Sequence, residues 1–148
     1  MNSRTISKAI FAGAFITATL LSGFAVAAQS SPQYGPETKS FLEYIRHELD
    51  ELEFQIKHNE ISRKDYIHNK NRIEVHREAV LEHVRRTGRD VVPEYSVASE
   101  DELGDFLPNG IKDMKGHKPG DTIDPKWRFA GVAFKSEKFY ILERIAGY

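Results

Sequence analysis

The chain has 148 residues, no cysteine and nearly balanced charge, with 21 Lys and Arg against 22 Asp and Glu. This length is typical of a single domain, and without cysteine the core cannot rely on disulfides and must be held by packing. Because nucleic acids and anionic membranes both favour partners with a clear basic excess, the near-balance gives no support for either.

The N-terminal residues have the pattern of a secretory signal peptide. Residues 1–8 carry Arg4 and Lys8 without an acid, residues 9–28 contain no charge, and Ala25 and Ala27 match the small-residue pattern of a cleavage site. We expect cleavage after Ala27, export to the periplasm or the extracellular space, and no stable membrane span afterwards. A retained anchor is the alternative, because the apolar run approaches the ~20 residues that cross a bilayer.

Residues 28–35 are rich in Ser, Gln, Pro and Gly, which predicts a flexible leader. A first helix is expected to begin at Pro36, because proline suits the first helical position. Tyr44 and Phe54 lie outside its apolar face, so a single partner helix cannot cover all of its apolar surface. That face consists of residues at helical spacing, namely Phe41, Leu42, Ile45, Leu49, Leu52 and Ile56.

A second helix is predicted after a short turn at residues 58–61. Ser62 suits the N-cap, and Gly88 suits the position that follows the last helical turn. The short turn makes the two helices antiparallel neighbours, so residues 36–88 form a helical hairpin. Lys70 and Arg77 interrupt the apolar stripe of the second helix. We expect one of them to pair with Glu48 across the seam, and a role in binding is the alternative.

Residues 89–148 predict a small α+β element. Pro93 makes residues 91–97 suitable for an edge strand or a crossover, and Ser99 with Glu102 forms a capping box for a short helix. Residues 111–114 fit a helical turn or a short strand, and residues 116–125 fit successive turns. A β-hairpin is expected at residues 127–134 and 139–145, and its second strand is apolar on both faces and therefore requires cover on both.

The predicted fold class is therefore α+β, in which a long antiparallel α-hairpin is followed by a small C-terminal element with a short helix and a β-hairpin. No metal site or cofactor is predicted. The six histidines include no pair at the i, i+4 spacing of a helical zinc site. No nucleophile motif or glycine-rich phosphate loop occurs, so no catalytic residue is assigned.

One group of titratable residues in the C-terminal half has two possible roles. His117, Asp121 and Asp124 fall in the loop of residues 116–127, where they fit either an acid–base site or ordinary turn chemistry.

These observations favour a non-enzymatic protein that is exported and acts as an interaction or structural module of the cell envelope or extracellular space. Its partner would be another protein or a second copy, contacted through Tyr44, Phe54, Lys70 or Arg77. The alternative is a module that binds a small ligand, peptide or glycan with the 116–127 loop and Trp127 on the adjoining strand. A hydrolase built on the His117 loop is the third hypothesis.

Overall fold

A computed structural model of the protein describes residues 33–145. The predicted signal peptide, residues 1–27, and most of the predicted leader lie outside this range. At its start, Tyr34 packs against the core of the helical hairpin. Within residues 33–145, no helix is long and apolar enough to cross a membrane.

The N-terminal half is the predicted helical hairpin, formed by α1 (Pro36–Lys57) and α2 (Arg63–Thr87). Ser62 caps α2, because its side chain accepts a hydrogen bond of 3.1 Å from the backbone N–H of Asp65. Gly88 ends α2 in the left-handed conformation at φ 66°, which glycine adopts without steric cost. The local signals in the sequence therefore predicted the bounds of both helices.

The seam between the helices is apolar, and the ion pair expected across it is absent. Phe41 and Ile45 of α1 pack against Val80 and Val84 of α2. Neither Lys70 nor Arg77 forms an ion pair with Glu48 in the described structure, so that expectation was wrong. Lys70 instead lies over the Tyr66 ring of its own helix, 5.8 Å from the centroid. The Nε of Arg77 is buried without a hydrogen-bond partner.

The C-terminal half forms an antiparallel sheet in the order β1-β4-β3-β2. Its strands are β1 (Tyr95–Ser99), β2 (Thr122–Asp124), β3 (Trp127–Phe134) and β4 (Lys138–Arg144). The predicted β-hairpin corresponds to β3 and β4, and β1 is an edge strand. Strand β2 was not predicted. It lies in the stretch interpreted as turns and pairs with the start of β3 through an irregular register.

Each face of the sheet is covered by a different part of the chain. On one face, Val75 of α2 packs against Val97 and Phe139. The other face is covered by two 3₁₀ helices, Asp101–Asp105 and Gly110–Met114, which together with their connection we call the cap segment (residues 101–114). The short helix predicted from the Ser99 capping box is the first of these.

A carboxylate that follows α2 closes the hairpin at the start of α1. Asp90 accepts hydrogen bonds of 2.9 Å from the backbone N–H groups of Glu37 and Thr38, and one of 2.6 Å from the Thr38 hydroxyl. In return, Glu37 accepts a bond from the N–H of Val92. The bonds from Thr38 lower the pKa of Asp90. Asp90 therefore acts as a distant N-cap that joins the two ends of the hairpin.

Candidate functional site

A groove runs between the helical hairpin and the edge of the sheet, and we call it the helix groove. Its volume is about 390 Å³. It has one wall from each helix, a floor from β1 and an end formed by Phe106 of the cap segment. The wall from α1 includes Tyr44, Glu48, Glu51 and Gln55, the wall from α2 includes Asn69, Arg72, Ile73 and His76, and the floor includes Ser96 and Val97.

The α1 wall of the helix groove is acidic. Residues 44, 48, 51 and 55 recur every three or four positions, so they form one stripe along the helix. This stripe remains open because the sheet packs on α2 rather than on α1. Tyr44 is 52% exposed, and partial burial together with the nearby Glu48 carboxylate raises the pKa of its hydroxyl. Tyr44 is therefore neutral at physiological pH, while Glu48 and Glu51 supply negative charge.

The α2 wall contributes little free positive charge. Arg72 is its one cation, and this guanidinium already lies 3.2 Å from the Glu102 carboxylate and donates to the Asn69 side chain at 3.0 Å. Burial lowers the pKa of His76, whose ring stands edge-on to Phe41 at 5.2 Å between centroids. His76 is therefore neutral near pH 7, and the two glutamates of α1 dominate the charge of the helix groove.

The floor of the helix groove lies along the open edge of β1. The N–H of Arg144 donates to the carbonyl of Glu94, and in an antiparallel ladder this bonding repeats at every second residue. Tyr95, Val97 and Ser99 therefore turn their backbone groups toward the edge. The Ser99 N–H donates a hydrogen bond of 2.9 Å to the Glu102 carboxylate. Val97, two residues before it, lines the groove.

A second groove, of about 520 Å³, lies on the sheet face that carries the cap segment. We call it the lysine groove. Its floor is apolar and consists of Ile111, Met114, Phe129, Val132 and Tyr140. Its rim consists of Lys112, Lys115, His117 and Lys138, and no carboxylate of residues 33–145 lines it.

A histidine joins α2 to both the cap segment and the β3–β4 turn. His68 Nδ1 lies 2.8 Å from Glu137, and its Nε2 lies 3.1 Å from Glu102. Burial acts to lower the pKa of His68, but the hydrogen bonds to the two glutamates outweigh it and raise that pKa. Burial acts to raise the pKa of Glu102, and the bonds from Ser99 and His68 lower it instead. We call this group the histidine junction.

The described residues contain no group of histidines and carboxylates arranged to bind a metal ion. In the histidine junction both ring nitrogens already face carboxylates, so neither lone pair is directed at an open position. This arrangement suits a structural link between elements rather than a metal ligand.

Of the predicted interaction residues, Tyr44 lines the helix groove, whereas Phe54, Lys70 and Arg77 do not. Phe54 is 49% exposed and stacks on His58, with 3.9 Å between ring centroids. Trp127 is partly buried and packs edge-on against Phe106 at 5.6 Å. The Trp127 ring therefore contributes to the packing beneath the cap segment.

The residues of the predicted loop site do not converge on one cavity. Asp121 accepts a 2.7 Å bond from the Lys118 N–H, and Asp124 accepts bonds from the N–H groups of Lys126 and Trp127. Both carboxylates thus hold turns. His117 lies 3.8 Å from Asp121 and lines the lysine groove, where neither aspartate takes part.

Sequence reasoning missed Arg72, His68 and Glu102 as a group. His68 and Arg72 are four residues apart and share one face of α2, and this spacing was an available signal. Glu102 was explained only as part of a capping box, which accounts for one of its oxygens. The other oxygen meets His68 and Arg72.

No protein family, curated protein or solved structure matches the chain. Its function is therefore inferred from the geometry and charge of the two grooves.

Proposed function

We propose that this chain is an exported, non-enzymatic interaction module of the cell envelope or extracellular space. In this proposal the helix groove binds an extended, cationic peptide segment of a partner protein. The observation that carries the proposal is that one groove combines the open stripe of α1 with the open edge of β1.

Export is supported by the signal-like pattern of residues 1–27. A basic start, an uncharged apolar run and small residues at positions 25 and 27 are the features of a cleaved secretory signal. The lack of cysteine fits a core that depends on packing alone.

The open edge of β1 favours an extended partner. A peptide that adds to a sheet edge gains main-chain hydrogen bonds, and pockets for alternate side chains give it specificity. Val97 offers backbone groups at this edge, and Tyr44 and Phe106 flank it with aromatic surface. Aromatic side chains at a groove commonly supply much of the binding energy.

Charge favours a cationic partner. Glu48 and Glu51 line the groove, while Arg72 is already engaged by Glu102. A lysine or arginine of the peptide beside these glutamates would increase both the association rate and the specificity.

The proposal is tested by selecting peptides from a random phage-displayed library on the immobilised protein, and by titrating the selected peptides calorimetrically. We expect extended sequences that contain Lys or Arg. Glu51→Lys should weaken binding by about tenfold, since it replaces an attraction with a repulsion. Asp50→Lys is the matched control, because Asp50 is an exposed acid on the same helix that does not line the groove.

Equal effects of Glu51→Lys and Asp50→Lys would contradict the proposal. Light scattering tests self-association through the same surface. A dimer at micromolar concentration that Tyr44→Ser dissociates would assign the helix groove to a second copy and overturn the peptide proposal.

A further inference from the structure

The sheet face beneath the cap segment is uncovered at its outer end. The cap segment packs over Phe129 and Leu142 but leaves Val132 36% exposed and Phe134 73% exposed. Val132 pairs with Tyr140 and Phe134 pairs with Lys138 across the β3–β4 ladder, so all four side chains lie on this face. The lysine groove occupies the boundary between the covered and uncovered parts.

The floor of the lysine groove suits an apolar ligand. It combines aliphatic, thioether and aromatic side chains from three elements: Ile111 and Met114 of the cap segment, Phe129 and Val132 of β3, and Tyr140 of β4. A volume of about 520 Å³ falls within the usual range of small-molecule sites. Because the polar groups lie at the rim, this floor does not suit a glycan, which needs hydrogen-bonding groups along its whole length.

The three lysines at the rim of the lysine groove have no acidic partner. Lys112, Lys115 and Lys138 form no ion pair with any acid of the described residues. The acids near the rim lysines in sequence make other contacts. Glu137, which precedes Lys138, lies 2.8 Å from His68. Asp113 accepts bonds from the backbone and side chain of Asn109, and Asp121 accepts one from the Lys118 N–H.

One of these cations is placed directly at the apolar floor. The ammonium of Lys138 lies 4.5 Å from the centroid of the Tyr140 ring. This cation–π contact keeps the charge at the boundary between rim and floor. An anion that paired with Lys138 would therefore have its apolar body directed along Tyr140 and Val132.

We propose that the lysine groove binds a small anionic amphiphile of the medium-chain fatty carboxylate class. The carboxylate pairs with Lys138 and Lys115, and the hydrocarbon chain lies on the apolar floor. A free amphiphile fits better than a membrane surface, because the apolar residues line a concavity. This site is separate from the helix groove and does not depend on the function proposed for it.

The proposal is tested by calorimetric titration of the purified protein with octanoate below its critical micelle concentration. Octanol and octyltrimethylammonium are matched probes that keep the chain and remove or reverse the charge. We expect octanoate to bind most tightly, and affinity to rise about two- to fourfold for each added CH₂ between hexanoate and decanoate. Equal affinity for the three octyl probes would overturn the proposal.

Two variants locate the site. Lys138→Gln should weaken octanoate binding by about two- to fivefold, the usual worth of an exposed ion pair. Val132→Glu places a carboxylate on the floor and should weaken binding by more than tenfold. Lys118→Gln and Val91→Glu are the matched controls, since both positions are exposed and lie outside the groove.

The proposal would be overturned if Lys138→Gln and Val132→Glu weakened octanoate binding no more than their control variants do. It would also fail if the protein bound phosphatidylglycerol vesicles but not monomeric octanoate, because the face would then be a membrane-contact surface. Circular dichroism spectra confirm that each variant is folded before its titration is interpreted.

Discussion

The helical hairpin begins and ends where local signals place it, whereas the sheet unit is held by residues that are far apart in the sequence. In the hairpin, Ser62 and Gly88 set the bounds of α2, and a single apolar seam joins the helices. In the sheet unit, Leu103 and Leu107 of the cap segment are fully buried over Leu142, some forty residues later. The sheet unit is covered on both faces, and α1 on only one.

This difference explains where the molecule offers binding surface. Within the described residues, β4 is paired on both sides, whereas the ends of the sheet faces, the edge of β1 and the part of β3 that extends beyond β2 are open. In the hairpin, α2 packs against the sheet. The stripe of α1 at residues 44, 48, 51 and 55 remains uncovered. Both candidate grooves therefore lie at the margins of the packed core, where surface remains available without loss of core packing.

The largest effect on stability is expected from Phe139→Ala, which tests the link between the helical hairpin and the sheet unit. Phe139 is fully buried on β4, where it packs with Val75 of α2 and so joins the two regions. We expect the free energy of unfolding to fall by about 3–5 kcal/mol, because the substitution leaves a large cavity. Urea unfolding followed by circular dichroism measures the change.

Phe134→Ala is the control for this cavity effect, as it removes the same ring from an exposed position on the paired strand. It should change the stability by less than about 0.5 kcal/mol. If both variants lost equal stability, Phe139 would not be the link between hairpin and sheet.

A smaller effect is expected from Gly35→Ala, which tests how the hairpin is closed. A Cβ at position 35 would overlap the Asp90 side chain and displace the carboxylate that caps α1. We expect a loss of about 1–3 kcal/mol in urea unfolding, the usual cost of overpacking. Gly104→Ala is the matched control, because a Cβ there meets open space, and it should change stability by less than about 1 kcal/mol.

The Gly35 effect should depend on Asp90. In an Asp90→Gly background the three atoms nearest to the added Cβ are removed, so the further cost of Gly35→Ala should largely disappear. An unchanged cost in that background would show that the Asp90 side chain is not what makes glycine necessary at position 35.

The hairpin was predictable because its determinants are close in sequence. Pro36, Ser62 and Gly88 each act within one helical turn, and the apolar spacing identified the seam. The cap supplied by Asp90 was not predictable, since Asp90 lies 53 residues from Glu37. The Glu48 pairing failed for the related reason that position along a helix does not fix the direction of a long side chain.

The sheet unit and the grooves were predictable only in part. Alternating and continuous apolar runs gave β3 and β4, but the three residues of β2 carry too short a pattern. Tyr44 was identified because it lies off the main stripe of α1. Lys112, Lys115 and Lys138 line the same groove, and only the packing of the cap segment on the sheet brings them to it.

The smallest effect is expected on the pH dependence of stability, when His68 of the histidine junction and His76 of the hairpin seam are substituted separately. Glu137 and Glu102 raise the pKa of His68, so its stabilisation is complete below the unfolded pKa of about 6.5 and is lost as the pH rises through the folded pKa. Burial lowers the pKa of His76, so its stabilisation is present above about pH 6.5 and is lost as the pH falls through the folded pKa. Between pH 8 and pH 5.5 Asp90 and Glu102 remain charged, because their pKa values are lowered.

Relative to the unsubstituted protein, His68→Gln should therefore lose stability as the pH falls, and His76→Gln should gain it. Urea unfolding at several pH values measures both slopes, and slopes of the same sign would contradict the opposite pKa shifts of the two histidines.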